Sequence, residues 1–315
     1  MGRGRGYLFG VVEKNRITKK EKVTVIFKTA VTFLIRYNTQ NMTLTLKPAH
    51  EYPIPFLADL MTRSFEGYLV PISITDTVLL TMLRRDGIDL TASRVLMRDD
   101  EPIGLAMIAR RGWTSRLAAM GITSNARSGG VGTWAMEQLI AEAKARGEKE
   151  MLLEVIEQNT AGVKLYEKVG FTKIRRLVGY KLENPQVESD VEIEEIDIRE
   201  VARQVTYHGF KDLPWQLSGT SIMQHTPPSR AFRINDAYCL ISNPEITDVA
   251  ISSVLVKARS RGAGLSEVLM RALFAKFPGK VWHVSPIYPE EMGFIFEHVG
   301  MQRESLSQWQ MSRAL

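Results

Sequence analysis

The chain has 315 residues, of which 44% are hydrophobic, so it is long enough to form one large domain or two ordinary ones with proper cores. Its formal net charge is +6, but nine of the 41 Lys and Arg side chains and two of the 35 Asp and Glu side chains lie in residues 1–41. The remainder is nearly neutral, with 32 basic against 33 acidic side chains, and gives no reason to expect a nucleic-acid partner.

The first 41 residues are predicted to be a non-native or disordered basic extension upstream of the folded chain. Their apolar segment, residues 23–35, is thirteen residues long and too short to span a bilayer, so no membrane partner is expected. A basic stretch precedes it, but no convincing small-residue cleavage site follows, which argues against a signal peptide. The alternating pattern that begins at Met42 marks the predicted start of the first domain.

A strand, two helices and a hairpin are predicted next. A strand over residues 43–47 is followed by a helix over residues 55–66, whose apolar side chains share one face. A second helix covers residues 76–85, and strands over residues 94–97 and 103–110 form the hairpin. These elements lead into the most informative part of the chain, a glycine-rich loop.

The glycine-rich loop lies between a predicted strand over residues 118–122 and a predicted helix over residues 133–146. Such a helix start presents backbone N–H groups with no intrahelical partner, and the helix dipole adds positive charge, so it suits an anion such as phosphate. Glycines let the backbone approach the ligand closely. We expect Arg127 to add a charge contact, and the full set of anion-binding residues to be Arg127, Ser128, Gly129, Gly130, Val131, Gly132 and Thr133. The alternative is a turn that only joins the strand to the helix.

An acidic residue and a tyrosine follow the loop. Glu154 lies in a predicted strand over residues 151–156, where alternation turns it away from Leu153 and Val155. Partial burial there would suit it to act as a base. Asn159 begins a second helix, which carries Tyr166 and ends at Gly170-Phe171.

A dinucleotide-binding turn is the main alternative for the loop. Gly130, Gly132 and Ala135 fit a Gly-x-Gly-x-x-Ala pattern, and Glu154 follows about twenty residues later, as that fold requires. This alternative would make the protein a dinucleotide oxidoreductase, but it leaves the segment from Asn159 onward unexplained. A Walker loop is excluded because no Gly-Lys-Ser/Thr sequence follows.

The loop and the later segment together resemble the GNAT superfamily of acyl-CoA N-acyltransferases. The sequence carries Arg127-x-x-Gly130-x-Gly132 and then, after a helix and a strand, Asn159-x-Ala161 and LYEKVGF over residues 165–171. The resemblance implies an α/β fold with a mixed sheet, a loop that wraps the pyrophosphate of acetyl-CoA and a later segment that holds its pantetheine arm.

The resemblance also implies roles for single residues. Tyr166 stands where the family has its general acid, and Glu154 where many members have a general base. The backbone N–H of Ile122 is the expected donor to the oxyanion. Asn159 would steady the pantetheine arm or the loop into its own helix. The candidate residues of the acceptor pocket are Phe65, Tyr68 and the turn over residues 86–89.

The sequence after residue 190 repeats the elements of the first domain. Residues 184–190 are polar, include a proline and are predicted to be a linker. Beyond them, residues 259–264 match residues 127–132 at an offset of 132, and residues 296–301 match residues 166–171 at an offset of 130. We therefore predict two tandem GNAT-type domains, residues 42–183 and residues 191–315. The arrangement resembles mycothiol-synthase-type acetyltransferases, in which the C-terminal copy is the active one.

The second copy lacks the groups that proton transfer needs, so here the residues favour the first copy as the active one. We expect the second copy to bind CoA weakly or not at all, and mainly to cover or complete the acceptor pocket. The positions that match Tyr166, Asn159 and Glu154 hold Phe296, Pro289 and Val284.

The sequence thus predicts a cytoplasmic N-acetyltransferase that transfers an acetyl group from acetyl-CoA to a primary amine of a small molecule or peptide. Attack is expected to be direct in a ternary complex, because the lone cysteine, Cys239, lies in an apolar strand pattern far from the motif. One cysteine also excludes a disulfide framework, and five scattered histidines predict no metal site. The chain would be a monomer or a homodimer. The alternative function is a non-catalytic acyl-CoA-binding sensor or scaffold.

Overall fold

The computed structural model describes residues 43–210 and 212–315. The predicted extension over residues 1–41 and its apolar segment lie outside these residues. Among the described residues, no helix combines the length and the hydrophobicity that crossing a membrane requires.

Strands and helices follow each other in nearly the order that the sequence predicts. The described residues form twelve strands: β1 (Leu44–Pro48), β2 (Arg94–Arg98), β3 (Glu101–Arg111), β4 (Thr114–Ile122), β5 (Glu150–Ile156), β6 (Thr172–Glu183), β7 (Glu194–Ile196), β8 (Arg230–Ile234), β9 (Ala237–Ile241), β10 (Asp248–Val256), β11 (Val281–Pro289) and β12 (Gln302–Ala314). They also form eight α-helices: α1 (Ile54–Ser64), α2 (Asp76–Asp86), α3 (Val131–Ala145), α4 (Thr160–Lys168), α5 (Ile198–His208), α6 (Gly219–Ile222), α7 (Leu265–Lys276) and α8 (Phe294–Glu297). The order found in residues 43–183 recurs in residues 194–315, where α6, α7 and α8 are shorter than α2, α3 and α4.

Local sequence sets the ends of several helices. Thr75 caps α2, because its side-chain oxygen accepts a hydrogen bond from the N–H of Val78 at 3.3 Å. Gly87, with a φ of 68°, ends the same helix in the left-handed conformation that glycine adopts without strain. These short-range interactions explain why the helix bounds follow from the sequence.

All twelve strands join one mixed sheet in the order β1-β2-β3-β4-β5-β12-β6-β11-β10-β9-β8-β7. We call residues 43–183 the N-terminal half and residues 184–315 the C-terminal half. The last strand of each half crosses into the other, since β12 lies between β5 and β6, and β6 lies between β12 and β11. Each half therefore completes its part of the sheet with a strand from the other half.

The helices pack on both faces of the sheet. On one face, α3 and α4 cover Leu153 and Val155 of β5 together with Met311 of β12. On the other face, α1 and α2 pack with Leu152 of β5. Because side chains alternate along a strand, Glu154 points away from Leu153 and Val155, as the sequence predicts, and lies on the face of α1 and α2.

Two parallel strands separate after a short stretch of pairing. β4 and β5 pair over four residues each, and the last pair is Leu117 opposite Leu153. Both strands continue, to Ile122 and Ile156, without further pairs to each other among the described residues. A gap therefore opens between β4 and β5 towards the glycine loop.

The predicted helices and hairpin of the N-terminal half are confirmed to within two residues at each end. Strand β4 differs, because it begins at Thr114 and not at residue 118. Ser115 and Arg116 interrupt the apolar pattern, yet both are buried in β4. Residues 184–190 have no regular secondary structure. The predicted bounds of two separate domains stay a prediction, since β6 and β12 cross between the halves.

Replacing Met311 with Ala tests the exchange of strands. Met311 belongs to the last strand of the chain, yet its side chain is fully buried in the core of the N-terminal half. We expect the free energy of unfolding to fall by about 2–5 kcal/mol, the usual cost of truncating a buried Met. Chemical denaturation followed by circular dichroism and tryptophan fluorescence measures it, and both signals should change together.

The control is Met223, whose side chain is exposed. Replacing Met223 with Ala should change the free energy of unfolding by less than about 0.5 kcal/mol. Two separate unfolding transitions in the wild-type protein would contradict a sheet that both halves share.

Candidate active site

The glycine loop ends in the uncapped N-terminus of α3. Ser128, Gly129 and Gly130 have φ angles of 76°, 68° and 83°, and Gly130 is the N-cap. No side chain of the described residues caps this helix start, so the N–H groups of residues 131–133 have no intrahelical partner. A Cβ added at Gly129 or Gly130 would meet no atom within 4 Å, so the space above the loop is open. The predicted loop therefore has the geometry of an anion site.

Arg127 braces the start of the loop. Its Nε donates to the carbonyl of Ile122 at 2.9 Å, and its Nη2 donates to the carbonyls of Ser64 and Glu66 at 3.2 and 2.6 Å. The guanidinium thus ties the end of β4 to the end of α1. These bonds use Nε and Nη2 only, so the charge contact to an anion expected from Arg127 stays a prediction.

The C-terminal half contains the same brace at Arg261. Its Nε donates to the carbonyl of Val256 at 3.2 Å, and its Nη2 donates to the carbonyl of His208. Arg261 is therefore the counterpart of Arg127, at an offset of 134 residues.

This offset corrects the alignment of the two loops, which the sequence placed at 132. Gly264, with a φ of 71°, is the N-cap of α7 as Gly130 is the N-cap of α3. Arg259, which the sequence match aligned with Arg127, forms an ion pair with Asp236 at 2.8 Å.

Backbone N–H groups of β4 point into the gap between β4 and β5. The N–H of Thr123 donates to the carbonyl of Ile103 on the β3 side at 2.9 Å. Successive N–H groups of a strand point in opposite directions, so those of Ile122 and Met120 point towards β5. Ile122 is the predicted oxyanion donor. Met120 is a second residue whose N–H group points towards β5. The sequence analysis missed it, although the alternation of N–H groups along β4 would have indicated it.

Tyr166 lies in α4 within the core of the N-terminal half. Its ring packs edge-on against that of Phe171, with ring centroids 6.0 Å apart. Burial, together with the nearby hydroxyl of Tyr68, raises the pKa of Tyr166. The phenol is therefore protonated at neutral pH, as a general acid must be, and its catalytic role stays a prediction.

Asn159 connects α4 to the segment between α1 and α2. Its side-chain oxygen accepts from the N–H of Gly162 at 3.0 Å, which caps α4, and its Nδ2 donates to the hydroxyl of Tyr68 at 3.3 Å. Burial raises the pKa of Tyr68, although this hydrogen bond opposes the shift. Asn159 was predicted to steady either the pantetheine arm or the loop into its own helix, and the structure shows the second of these roles. Tyr68 and Phe65 line an open hollow over residues 62–72, where their acceptor-pocket role stays a prediction.

Glu154 forms a buried ion pair with Arg116, a residue that sequence reasoning did not single out. The Nε and Nη2 atoms of Arg116 both lie 2.7 Å from Oε2 of Glu154, and each side chain is only 4% exposed. Nη1 of Arg116 also lies 3.5 Å from Oδ2 of Asp86. The burial expected for Glu154 is thus found, with an arginine beside the carboxylate. Its Oε1 has no hydrogen-bond partner among the described residues and is the oxygen left for the predicted base role.

A segment of the C-terminal half covers this ion pair. Nε1 of Trp215 donates to the carbonyl of Asp86 at 2.7 Å. Arg111 stacks 3.9 Å from the ring centre of Trp215, and it donates to the hydroxyls of Ser218 and Ser221, each at 2.7 Å. Burial lowers the pKa of Arg111 to about 10, so it stays charged at neutral pH.

Of the two aspartates in the predicted acceptor-pocket turn, Asp86 alone approaches this ion pair. Asp89 accepts hydrogen bonds from the N–H and the hydroxyl of Thr91 at 2.8 and 2.6 Å, and from Nη1 of Arg110 at 3.0 Å. Burial opposes the charged form, but these bonds hold the pKa of Asp89 below its usual range. Asp89 therefore stabilises the turn.

Tyr288 reaches into the gap in the C-terminal half that corresponds to the gap between β4 and β5, and a cavity of about 110 Å³ remains beside it, lined by Val254, Val256 and Gly262. β10 and β11 pair over only three residues each. Beyond them, the hydroxyl of Tyr288 accepts a hydrogen bond from the N–H of Val254 at 3.1 Å. Val254 is the counterpart of Met120 at the offset of 134. The N–H group of Met120 faces the gap in the N-terminal half. Its counterpart in the C-terminal half, the N–H group of Val254, is therefore hydrogen-bonded to a side chain of that same half.

Phe296 is confirmed as the counterpart of Tyr166. The carbonyl of each accepts a hydrogen bond from the residue five positions later, at 3.1 and 2.9 Å. The residue before the short turn that leads to α8 is Pro289, which provides no side-chain cap of the kind that Asn159 gives α4.

Strand register corrects the predicted counterpart of Glu154. The pairing of β5 with β4 begins at Glu150, and that of β11 with β10 begins at Val281. Counting along each strand from these residues, the exposed Ser285 corresponds to Glu154, and Val284 does not. Neither Ser285 nor Val284 has a carboxylate.

Cys239 is buried in β9, as the sequence predicts. Burial raises the pKa of its thiol. Residues 43–210 and 212–315 contain no group of three or more His, Cys, Asp and Glu side chains positioned to bind a metal.

Comparison with known proteins supports the assignment for the N-terminal half. Residues 57–171 match the model of the acetyltransferase (GNAT) family. Comparison with curated protein sequences gives no match.

Solved structures share the fold of nearly the whole described chain. A GCN5-related N-acetyltransferase from Sphaerobacter thermophilus is 16% identical, with a TM-score of 0.63 over 88% of this chain and 96% of that one. A tandem GNAT protein from the clavulanic acid biosynthesis pathway is 13% identical, with a TM-score of 0.60 over 87% of this chain and 98% of that one. Residues 57–171 thus match the GNAT acetyltransferase family model, and the described residues share the fold of these solved GNAT proteins.

Replacing Arg116 with Met tests the buried ion pair. The change leaves the carboxylate of Glu154 buried without its positive partner, so the free energy of unfolding should fall by about 3–5 kcal/mol. Urea denaturation measures it. Replacing Glu154 with Gln should cost less, because Arg116 keeps Asp86 as a partner. An Arg116→Met variant as stable as the wild type would show that the pair contributes nothing.

Proposed function

We propose that this protein is an N-acetyltransferase that moves an acetyl group from acetyl-CoA to a primary amine of a small molecule or peptide, by direct attack in a ternary complex. The observation that carries the proposal is the gap between β4 and β5, which opens towards the uncapped start of α3. The family match of residues 57–171, which include this gap and Tyr166, supports the same chemistry.

The residues around the gap suit acetyl-CoA. The N–H groups of residues 131–133 can donate to a pyrophosphate, and Gly129 and Gly130 leave room for it. The edge of β4 that faces the gap offers backbone groups to the amides of a pantetheine arm. When bound there, acetyl-CoA supplies the activated acyl group as a thioester.

Acyl transfer forms a C–N bond and breaks a C–S bond, so the amine must lose a proton and the thiolate must gain one. The N–H groups of Met120 and Ile122 are the proposed donors to the oxyanion. Tyr166, kept protonated by its raised pKa, is the proposed acid. Oε1 of Glu154 is the proposed acceptor for the proton of the amine, while Oε2 stays on Arg116.

The glycine loops offer a matched pair of variants. Gly130 and Gly264 both have positive φ, and a Cβ at either meets no atom within 4 Å, so Val should strain both helix starts alike. Gly130→Val should weaken acetyl-CoA binding at least about tenfold, or about 1.4 kcal/mol, because it blocks the approach to the N–H groups. Gly264→Val should leave binding unchanged. Isothermal titration calorimetry should also give one site per chain, and two equal sites would contradict the assignment.

Replacing Tyr166 with Phe tests the enzyme against the sensor or scaffold. Thiol release from acetyl-CoA with a panel of primary amines measures activity. We expect kcat to fall about 100-fold, the lower end of general acid–base contributions, with little change in the KM for acetyl-CoA. The control is Tyr180→Phe, since Tyr180 is a buried tyrosine whose hydroxyl bonds Glu297. Acetyl-CoA binding without thiol release by the wild type would favour the sensor.

A further inference from the structure

Gln310 is a buried glutamine beside Glu154 that comes from the other half of the chain. In the antiparallel pair of β12 with β5, Gln310 stands directly opposite Glu154. Cross-strand partners share one face of a sheet and lie within about 5.5 Å of each other. The C-terminal strand therefore places an amide next to the carboxylate on the face of α1 and α2.

Both side chains hold an acceptor oxygen that the protein leaves unpaired. Gln310 is 2% exposed, and its Oε1 has no hydrogen-bond partner among the described residues. Oε1 of Glu154 also has none in this part of the chain, while Oε2 is bound to Arg116. Buried polar atoms are nearly always hydrogen-bonded in native proteins, so two neighbouring acceptors without donors require an explanation.

The position of the pair points to the reacting amine. Glu154 is the first residue of β5 after its last pair with β4, which is Leu153 opposite Leu117. Glu154 therefore lies where the gap between β4 and β5 begins, and Gln310 lies beside it, one strand farther from β4. Neither oxygen accepts a hydrogen bond from a donor among the described residues.

We propose that Gln310 is a positioning residue for the acceptor, and that Oε1 of Gln310 and Oε1 of Glu154 each accept one N–H of a neutral primary amine. This inference rests on the proposed N-acetyltransferase function. An R–NH₂ group has two N–H donors and one lone pair. Once both donors are held, the lone pair is left to attack the acyl carbon.

The arrangement selects the class of amine. A secondary amine has a single N–H, so it leaves one of the two buried acceptors unpaired, and its added methyl group must occupy the place of the lost hydrogen. Sites that hydrogen-bond a substrate N–H reject analogues that lack it. The site should therefore prefer a primary amine to its N-methyl derivative, and the residue that enforces the preference comes from β12.

Gln310→Leu is the test, because Leu keeps much of the volume and removes the acceptor. With the best primary amine of the panel, we expect the KM for the amine to rise about tenfold, with little change in the KM for acetyl-CoA. The ratio of kcat/KM for the primary amine to that for its N-methyl derivative should fall by a similar factor. The control is Ser312→Ala, two residues along the same strand and opposite Leu152, which should alter neither quantity.

Thermal unfolding separates this role from a structural one. If Gln310 serves only the fold, Leu should lower the melting temperature, whereas removal of an unpaired buried acceptor should leave it equal or higher. If Gln310→Leu does not fold, Gln310→Met is measured in its place. An unchanged preference for the primary amine in an active variant would overturn the role of Gln310 alone. A wild type that releases no thiol with any amine would overturn the proposed function and this inference together.

Discussion

The pairing of β12 with β5 is the interaction on which the rest of the structure depends. β5 leaves β4 after four residues, so it needs a hydrogen-bonded neighbour along its other edge. β12 supplies that neighbour over the whole length of β5, from Gln308 opposite Ile156 to Ala314 opposite Glu150. The gap of the candidate site therefore stays open because a strand from the far end of the chain holds β5 in place.

A cluster of buried charged side chains lies beside β5. Arg116, Glu154 and Asp86 are all largely buried, and charges in such surroundings are tolerated only when they are compensated. Trp215 donates to the carbonyl of Asp86 in this cluster, and Arg111, stacked on Trp215, donates to the hydroxyls of Ser218 and Ser221. The C-terminal half thus does more than cover the N-terminal half, because it holds the backbone of Asp86 beside the ion pair of Arg116 and Glu154.

Sequence reasoning found what short-range interactions decide. The loop at Gly130 and the helix that Asn159 caps depend on residues within a few positions of each other, so both were predictable. The roles of Arg116 and Gln310 depend on which strands become neighbours, and no local pattern in β12 indicates that it pairs with β5. Equivalent residues of the two copies are also 134 positions apart at the loops but 131 positions apart in β5 and β11. Matching short motifs therefore gave the wrong counterparts for Arg127 and Glu154.

The hydrogen bond of Tyr288 makes the two halves unequal in a way that a bound ligand would accentuate. In the C-terminal half, the amide of Val254 is protected by a phenol that belongs to the protein itself. In the N-terminal half, the amide of Met120 faces a gap that strand pairing does not close. Amide hydrogen exchange at Met120 should therefore respond to occupancy of the gap, while that at Val254 should not, so one chain carries both a reporter and its internal reference.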